Sequence, residues 1–268
     1  MGNIISSLQN PVIKNVLLLQ EKPRERKQKN LIVIEGFREI RLALISGFNI
    51  TTMLYCRNFI DDDDLRILFS QSVSSFDSSE VTPEVYNRMA YRKDNGGAIA
   101  LAEPKRLLFR DLKVSSCPLI LVLESVEKPG NLGAILRTAD AANLDAVIIC
   151  DPQTDIYNPN AIRSSLGTIF TMPVVTSTTE HTISWLRSNK IKMFGTALTA
   201  IRFYHEMQFR LPAAIIMGSE ASGLSQKWLD EADYLIRIPM LGKIDSMNVS
   251  ASGAIVIFEA LRQRNFTK

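Results

Sequence analysis

The stretch that decides the fold of this 268-residue chain is Ile238-Pro239-Met240-Leu241-Gly242-Lys243-Ile244-Asp245-Ser246-Met247-Asn248-Val249-Ser250. It begins as the end of an apolar strand, which Pro239 breaks because proline has no backbone N–H. Gly242 permits a tight turn, and Ser246 and Asn248 then lead into a helix start, where their side chains can cap unpaired amides. A rigid polar loop beside an apolar strand predicts a small-molecule pocket.

Outward from this loop, the chain after Pro118 alternates between short apolar runs and amphipathic segments. The predicted strands are residues 119–123, 146–150, 173–176, 192–196, 213–217 and 234–238. The predicted helices are residues 132–143, 159–169, 179–188, 226–231 and 250–264. This alternation predicts an α/β fold with a mostly parallel sheet, in which ligands bind where loops leave the carboxyl ends of the strands.

Three loops rich in glycine, proline and polar residues follow predicted strands, at residues 127–133, 218–225 and 239–248. Asn131 in the first loop is a candidate to cap the next helix, which would make that loop an ordinary turn. Arg137 lies six residues further on and suits a phosphate or carboxylate, although a solvated helix charge is the alternative. Glu220 places a carboxylate in the second loop. Together the three loops predict one site.

Composition excludes several classes of protein. The 46% hydrophobic content supports real cores, and the net charge of +3 is compatible with a nucleic-acid partner without requiring one. The two histidines lie away from the three loops, which argues against a catalytic triad, and Walker and GxGxxG loops are absent. The three cysteines have no metal-type spacing and predict reduced thiols of a cytoplasmic protein. No apolar stretch reaches the roughly 18 residues of a membrane span.

The first hundred residues predict a separate, smaller α/β domain. A composition break near Pro104 divides the chain into residues 1–106 and 107–268. Basic residues near the start form either a solvated helix face or phosphate contacts: Lys14, Lys22, Arg24, Arg26, Lys27 and Lys29. The acidic run Asp61–Asp64 predicts a helix start, where carboxylates favour the positive end of the dipole. It lacks the glycine and closing glutamate of a calcium loop, so no metal is expected.

Residues 131–139 (Asn-Leu-Gly-Ala-Ile-Leu-Arg-Thr-Ala) resemble the first motif of the SpoU/TrmH branch of SPOUT methyltransferases. Residues 218–224 (Gly-Ser-Glu-Ala-Ser-Gly-Leu) resemble the second motif, and residues 238–250 resemble the third. The three motifs stand in family order between Pro118 and Arg264. The opening residues 7–11, the basic stretch and residues 33–36 are similar, more loosely, to the ribosomal-protein-like substrate-binding domain that many members carry.

The resemblance implies an S-adenosylmethionine-dependent transfer of a methyl group to a ribose 2′-hydroxyl in RNA, on a homodimer with a C-terminal trefoil knot. Ribosomal RNA, and within it 23S rRNA, is the expected substrate and is favoured over transfer RNA. A non-catalytic RNA-binding ribosome-assembly protein is the alternative from another class. No metal and no membrane are implied. The implied cofactor-binding residues are Thr196, Ala197, Leu198, Met217, Gly218, Gly223, Ile238, Met240, Ser246, Met247 and Asn248. Family members usually have leucine in place of Met247, a change that conserves volume.

The implied catalytic residues are Arg137, Asn131, Glu220, Ser246 and Asn248. In the family the arginine is proposed to activate the ribose hydroxyl. A guanidinium is a very weak acid and hence a poor general base, so we favour a role for Arg137 in holding a phosphate and stabilising alkoxide charge. Asn131, Ser246 and Asn248 are expected to orient the reacting groups. Glu220 is expected to hold its loop or Arg137 and not to transfer protons.

Overall fold

The computed structural model describes residues 4–72, 74–91 and 96–267 and shows two compact units. The first unit comprises Met1–Lys105 and Tyr157–Thr171, and the second comprises Arg106–Ile156 and Met172–Lys268. The first crossing between units lies one residue before the predicted boundary. The chain then returns to the first unit for the short segment Tyr157–Thr171, which no local signal in the sequence indicated.

Helices and strands are interspersed along the chain. The strands are β1 Ile32–Glu35, β2 Ile50–Tyr55, β3 Asp77–Glu80, β4 Ala98–Ala102, β5 Leu119–Glu124, β6 Ala146–Cys150, β7 Val174–Ser177, β8 Lys192–Thr196, β9 Arg202–Phe203, β10 Ala213–Met217 and β11 Tyr234–Arg237. The helices are α1 Pro11–Glu21, α2 Pro23–Lys29, α3 Phe37–Ile45, α4 Asp62–Ser70, α5 Pro83–Met89, α6 Pro129–Ala141, α7 Pro159–Ser164, α8 Thr168–Thr171, α9 Thr179–Ser188, α10 Gln226–Glu231 and α11 Val249–Gln263.

The first unit is built on a mixed four-stranded sheet in the order β1-β4-β2-β3. β4 is antiparallel to both of its neighbours, whereas β2 and β3 are parallel. The apolar face of α1 buries Ile13, Val16 and Leu19 against residues of the sheet and α5. This spacing of three residues places the side chains on one stripe of the helix, so their burial holds α1 onto the sheet.

The basic stretch near the start is only partly available to RNA. Arg26 is 3% exposed, and its Nη1 donates to the carbonyl oxygens of Leu19 and Gln20 at the end of α1. Lys29 donates to Asn15 Oδ1 at 2.7 Å and pairs with Glu25. The expectation that Arg26 contacts phosphate is therefore wrong, because its guanidinium is used inside the unit.

The acidic run begins a helix, as predicted. Asp61 caps α4 by accepting the backbone N–H of Asp64 at 2.7 Å, and Asp62–Asp64 occupy the first turn. Carboxylates in this position are stabilised by the unpaired amides of the helix start. Within the described ranges, no cluster of three or more histidine, cysteine, aspartate or glutamate side chains is arranged to hold a metal ion.

The second unit contains a seven-stranded sheet in the order β7-β6-β5-β10-β8-β11-β9. Every adjacent pair is parallel, which confirms the predicted α/β class with a mostly parallel sheet. The central strands β5, β6 and β10 are buried along their whole length, as expected when helices cover both faces. In the described part of the chain, no helix has the length and apolar character needed to cross a membrane.

Three predicted strands, β6, β8 and β10, have the expected bounds, and the differences elsewhere have local causes. α6 begins at Pro129, three residues early, because proline is favoured in the first turn of a helix. The predicted helix 159–169 is two short helices, separated where Leu166 and Gly167 both adopt positive φ. The two-residue strand β9 was missed because so short an element has no periodicity.

The C-terminal helix is tied to the rest of the second unit by Arg264. Its guanidinium donates to the carbonyl oxygens of Phe209, Cys117, Pro118 and Leu211, at distances between 2.7 and 3.3 Å. Burial lowers the pKa of this guanidinium, with the neighbouring Cys117 and Asp145 opposing the shift. α11 also packs against α6 and β10. The helix that follows the third loop is thus fixed at its far end.

Gly97 is the glycine on which the first unit depends most. It has φ +64°, and a Cβ there would lie 2.5 Å from the backbone of Phe59 and Ile60. Gly97→Ala adds this clash to the roughly 1–2 kcal/mol cost of a left-handed residue. We expect a loss of about 3 kcal/mol or more in the free energy of unfolding, measured by urea denaturation.

Gly47→Ala is the matched control. Gly47 has a similar φ of +68°, but its Cβ would meet only the flexible end of Lys105, at 3.2 Å. The cost should therefore stay near 1–2 kcal/mol, roughly that of the backbone conformation alone. Equal losses for the two variants would contradict the steric role of Gly97.

Candidate functional site

The three predicted loops meet at the carboxyl ends of β5, β8, β10 and β11 in the second unit. They enclose an open cavity of about 760 Å³. All eleven residues expected to contact the cofactor line it: Thr196, Ala197, Leu198, Met217, Gly218, Gly223, Ile238, Met240, Ser246, Met247 and Asn248. Asn131 and Glu220 line it as well. Segments that are far apart in sequence thus form one wall.

A chain of side-chain hydrogen bonds joins the three loops. Asn131 Nδ2 donates to Glu220 Oε1 at 2.7 Å, and Asn248 Nδ2 donates to Asn131 Oδ1 at 3.1 Å. Asn248 Oδ1 in turn accepts the backbone N–H of Ser250 at 2.9 Å and caps α11. Each amide uses both its donor and its acceptor ends. Asn131 therefore lies inside the first turn of α6 as a connector and does not cap that helix, whose cap is Lys128.

Glu220 is the acceptor at the end of this chain. Partial burial raises the pKa of its carboxyl, but hydrogen bonds from Asn131 and from the backbone amides of residues 220, 127 and 128 outweigh it, and the pKa is lowered overall. Because the pKa is lowered, ionised Glu220 stabilises the folded state at pH values above the ordinary carboxyl pKa. This stabilisation is lost as the pH falls through the lowered pKa. Glu220 is thus a fixed anion near neutral pH.

The loop after β10 turns back on itself. Ser219 and Gly223 exchange two backbone hydrogen bonds of 3.0 and 3.1 Å, and Ser219 Oγ also accepts the N–H of Ser222. Gly223 adopts φ +71°, whereas Gly218 is needed for space, since a Cβ there would lie 2.1 Å from the Gly223 carbonyl carbon. The backbone at Gly218 therefore approaches the backbone at Gly223 too closely for any side chain to fit between them.

The wall on the β8 side is set by Thr196. Its Oγ1 donates to the carbonyl oxygen of Ile216 at 3.0 Å, which ties the end of β8 to β10. Ala197 N then donates to the carbonyl oxygen of Ile236 at 3.0 Å, on β11. The residues that follow, including Leu198, turn along the cavity instead of continuing the strand.

Glu124 is a residue of the site that the sequence analysis missed. It ends β5, is 6% exposed, and its Oε2 accepts the backbone N–H of Ser225 at 2.7 Å. Its Oε1 lies 3.4 Å from Thr179 Oγ1, but that hydroxyl is closer to Asp151 Oδ2, at 2.9 Å, and has one proton to donate. Glu124 therefore holds the residue that follows the second loop. A lone carboxylate ending an apolar strand was the available signal.

Arg137 is not part of the cavity wall. It is exposed on α6 and is absent from the residues that line the cavity. It lies six residues after Asn131, which places it about 9 Å further along the helix axis and roughly 1.7 turns around it. Within one chain, four of the five predicted catalytic residues come together: Asn131, Glu220, Ser246 and Asn248.

Comparison with known protein families gives two matches. Residues 118–258 match the SpoU rRNA Methylase family, and residues 10–100 match an MRM3-like substrate binding domain. The chain is 28% identical to the 23S rRNA (guanosine(2553)-2′-O)-methyltransferase RlmP of Bacillus subtilis over 95% of its length and 97% of that protein.

Solved structures agree over the whole chain. A crystal structure of an RNA 2′-O ribose methyltransferase is 34% identical with a TM-score of 0.84, and the match covers 98% of this chain and all of that one. The AdoMet-bound rRNA methyltransferase of Sinorhizobium meliloti is 28% identical with a TM-score of 0.89, over 97% of both chains.

Gly218 gives a test of the cavity. Gly218→Ala should prevent the loop from closing, because the new Cβ would overlap the Gly223 carbonyl group. We expect calorimetry to show the affinity for S-adenosylmethionine falling by about a hundredfold or more. Gly223→Ala meets no atom within 4 Å and is the control, with a loss of roughly tenfold at most from backbone strain. Near-wild-type binding by Gly218→Ala would contradict the assignment.

Glu124 gives a second test. Glu124→Ala removes the carboxylate that accepts the Ser225 N–H, and a hydrogen bond to a charged group contributes about 1.5–3 kcal/mol. We expect weaker S-adenosylmethionine binding and a lower unfolding temperature, measured by calorimetry and thermal denaturation. Glu124→Gln retains an acceptor oxygen and should recover most of the affinity. If the glutamine variant loses as much affinity as the alanine variant, the contact to Ser225 does not position the loop.

Proposed function

This chain belongs to the SpoU rRNA methylase family and is an S-adenosylmethionine-dependent RNA 2′-O-ribose methyltransferase with an MRM3-like substrate-binding domain, and we propose that its substrate is ribosomal RNA. The Bacillus relative, which acts on a guanosine of 23S rRNA, supports a 23S substrate over transfer RNA. The single observation that favours an enzyme over a non-catalytic assembly protein is the hydrogen-bonded set Asn131, Glu220 and Asn248 at one cavity. An assembly protein without catalysis has no need to keep it.

The cavity suits S-adenosylmethionine in its chemistry. Apolar side chains of Leu198, Met217 and Ile238 can contact an adenine ring, while the backbone of the Gly218–Leu224 segment offers polar groups at close range. When bound, S-adenosylmethionine supplies a methyl group on a positively charged sulfur. Glu220 adds a fixed negative charge to the wall, which favours a cationic ligand. No metal is needed to position such a donor.

The residues of the chain act mainly by positioning. Asn131 and Asn248 cannot accept a proton and hold the loops in register through their amides. Glu220 is engaged as a hydrogen-bond acceptor, so it is a support and not a general base. Arg137 can bind an RNA phosphate and stabilise the alkoxide as the hydroxyl proton leaves to water or to a phosphate oxygen.

A homodimer completes the site in this proposal. Apolar side chains near the cavity are exposed in a single chain, with Leu241 at 98% and Ile244 at 69%, and Phe258 on α11 is exposed too. Exposed apolar side chains grouped in this way are typical of a surface that another chain covers. We infer that a second copy covers them and supplies the Arg137 that the cavity needs, since the Arg137 of the same chain does not line it.

Two further features belong to the same proposal. The family fold implies a trefoil knot formed by the third loop and α11, which remains part of the proposal. Residues 1–106 form the RNA-binding domain and residues 107–268 the methyltransferase domain in this proposal, and the segment Tyr157–Thr171 of the latter packs with the first unit. Three free cysteines agree with a cytoplasmic site of action, where thiols stay reduced.

Arg137→Ala should separate binding from catalysis. We expect unchanged affinity for S-adenosylmethionine and a loss of methyl transfer of about a hundredfold or more. The assay is transfer of tritium from labelled S-adenosylmethionine to total RNA of a strain that lacks the enzyme, followed by mapping of the labelled ribose. Arg187→Ala, an exposed arginine of the same unit paired with Glu231, is the control and should keep full activity.

Mixed dimers test the origin of Arg137. Chains carrying Arg137→Ala and chains carrying Gly218→Ala are each expected to be inactive alone. When they are co-expressed, a mixed dimer has one intact cavity facing an intact Arg137 of the partner subunit, and activity should return. Continued inactivity of purified mixed dimers would place Arg137 beside the cavity of its own chain, and a monomer by analytical ultracentrifugation would overturn the dimer.

A further inference from the structure

A second cavity lies wholly within the first unit and takes no part in methyl transfer. Its volume is about 360 Å³, which is in the range of small-ligand pockets. It lies between the end of β1, the start of α3 and the helix α7 of the returning segment. Its polar wall consists of Gln20, Glu35, Arg38, Glu39, Asp64 and Arg163.

Carboxylates outnumber cations in this wall. Glu35, Glu39 and Asp64 face the cavity together with Arg38 and Arg163. Burial raises the pKa of the Glu39 carboxyl and the negative charge of Glu35 adds to the increase, against the effects of its own backbone amide and Arg38. Several carboxylates in the wall of one cavity favour a ligand that donates hydrogen bonds. A phosphate group would instead be repelled by them.

The rim of the cavity supplies flat surfaces for stacking. Tyr91 is 68% exposed, and the guanidinium carbon of Arg163 lies 3.7 Å from the centre of its ring. The backbone N–H of Tyr91 donates to Glu35 Oε1 at 2.7 Å, which fixes this ring beside the carboxylate wall. Phe37, at the start of α3, adds an apolar surface to the lining. Proteins read unpaired RNA bases with this combination of planar side chains and edge-directed polar groups.

We propose that this cavity binds one unpaired nucleobase of the substrate RNA and prefers guanine. Guanine presents two neighbouring donors, N1–H and the N2 amine, on its Watson–Crick edge, and Glu35 and Glu39 supply acceptors for them. The base stacks on the face of the Arg163 guanidinium opposite Tyr91, which holds that guanidinium in place from the other side. This inference rests on the proposal that RNA is the substrate. It adds a contact that distinguishes one base from another, which a reaction at the ribose hydroxyl does not do by itself.

The preference can be measured on the full-length protein by fluorescence anisotropy. Two fluorescein-labelled RNAs are compared, an 11-residue oligouridylate and the same oligomer with one central guanosine. We expect wild-type protein to bind the guanosine oligomer roughly tenfold more tightly, as one good bidentate contact allows. Replacing that guanosine by inosine, which lacks the N2 amine, should remove most of the preference.

Glu35→Gln and Glu39→Gln test the carboxylates. Both variants keep an oxygen acceptor and the size of the side chain, and both should reduce the preference to about twofold or less while leaving oligouridylate binding near the wild-type value. Tyr91→Ala, a change at an exposed position, should lower affinity for the guanosine oligomer by roughly fivefold or more. Asp63→Asn is the charge-matched control, because Asp63 is exposed on α4 and lies outside the lining.

The outcomes separate the two proposals. Loss of guanine preference in the cavity variants, with S-adenosylmethionine binding unchanged and with the preference kept by Asp63→Asn, supports the base pocket. Absence of a preference in wild-type protein, or an equal preference in wild type and both glutamine variants, overturns the pocket while leaving tritium transfer to rRNA intact. Failure of wild-type protein to label any RNA overturns the proposed substrate instead.

Discussion

The second unit depends on a side-chain hydrogen-bond chain that runs from Glu220 through Asn131 to Asn248. Its members are 89 and 117 residues apart in sequence, and each comes from a loop that cannot form a core of its own. An amide can donate at one end and accept at the other, so it can transmit an orientation between loops, which an alcohol or a carboxylate does less specifically. The bond between Asn131 and Glu220 is partly buried, so losing either of these two members costs more than losing Asn248, whose bonds are exposed to solvent.

The scaffold under these loops is rigid for reasons that are separate from the loops. β5, β6 and β10 are buried throughout, and all strand pairs of the sheet are parallel, so the strand ends that carry the loops stand side by side. Glu124, at the end of β5, fixes the end of the second loop to the sheet by accepting a hydrogen bond from Ser225 N–H. Arg264 does the same from the opposite end of α11 by binding four carbonyl oxygens. Ligand groups placed on such a frame keep their geometry without further support.

How much of this could be read from the sequence depended on the range of the interaction. The bounds of β6 and β10 are predicted correctly because their apolar runs are closed by Asp145 and Asp151 in one case and by Pro212 and Gly218 in the other. The family motifs led to the residues that line the cavity. The residues next to Asn131 predict a helix cap, whereas its partners come from two distant loops. The basic run predicts an exposed charge for Arg26, whereas its guanidinium binds the carbonyl oxygens of Leu19 and Gln20. The return of Tyr157–Thr171 to the first unit rests on packing that no local pattern encodes.

Selecting one nucleotide poses a problem that the transfer chemistry cannot solve by itself. The 2′-hydroxyl is common to every ribonucleotide, and contacts to phosphate carry no sequence information. General charge is also modest, since the chain has a net charge of only +3, and Arg26 and Lys29 are engaged within the first unit. Selectivity must therefore come from contacts to base edges or to RNA shape. In the described part of the first unit, the cavity between β1, α3 and α7 joins carboxylate acceptors to a stacked Tyr91 and Arg163, which is the chemistry that base recognition requires.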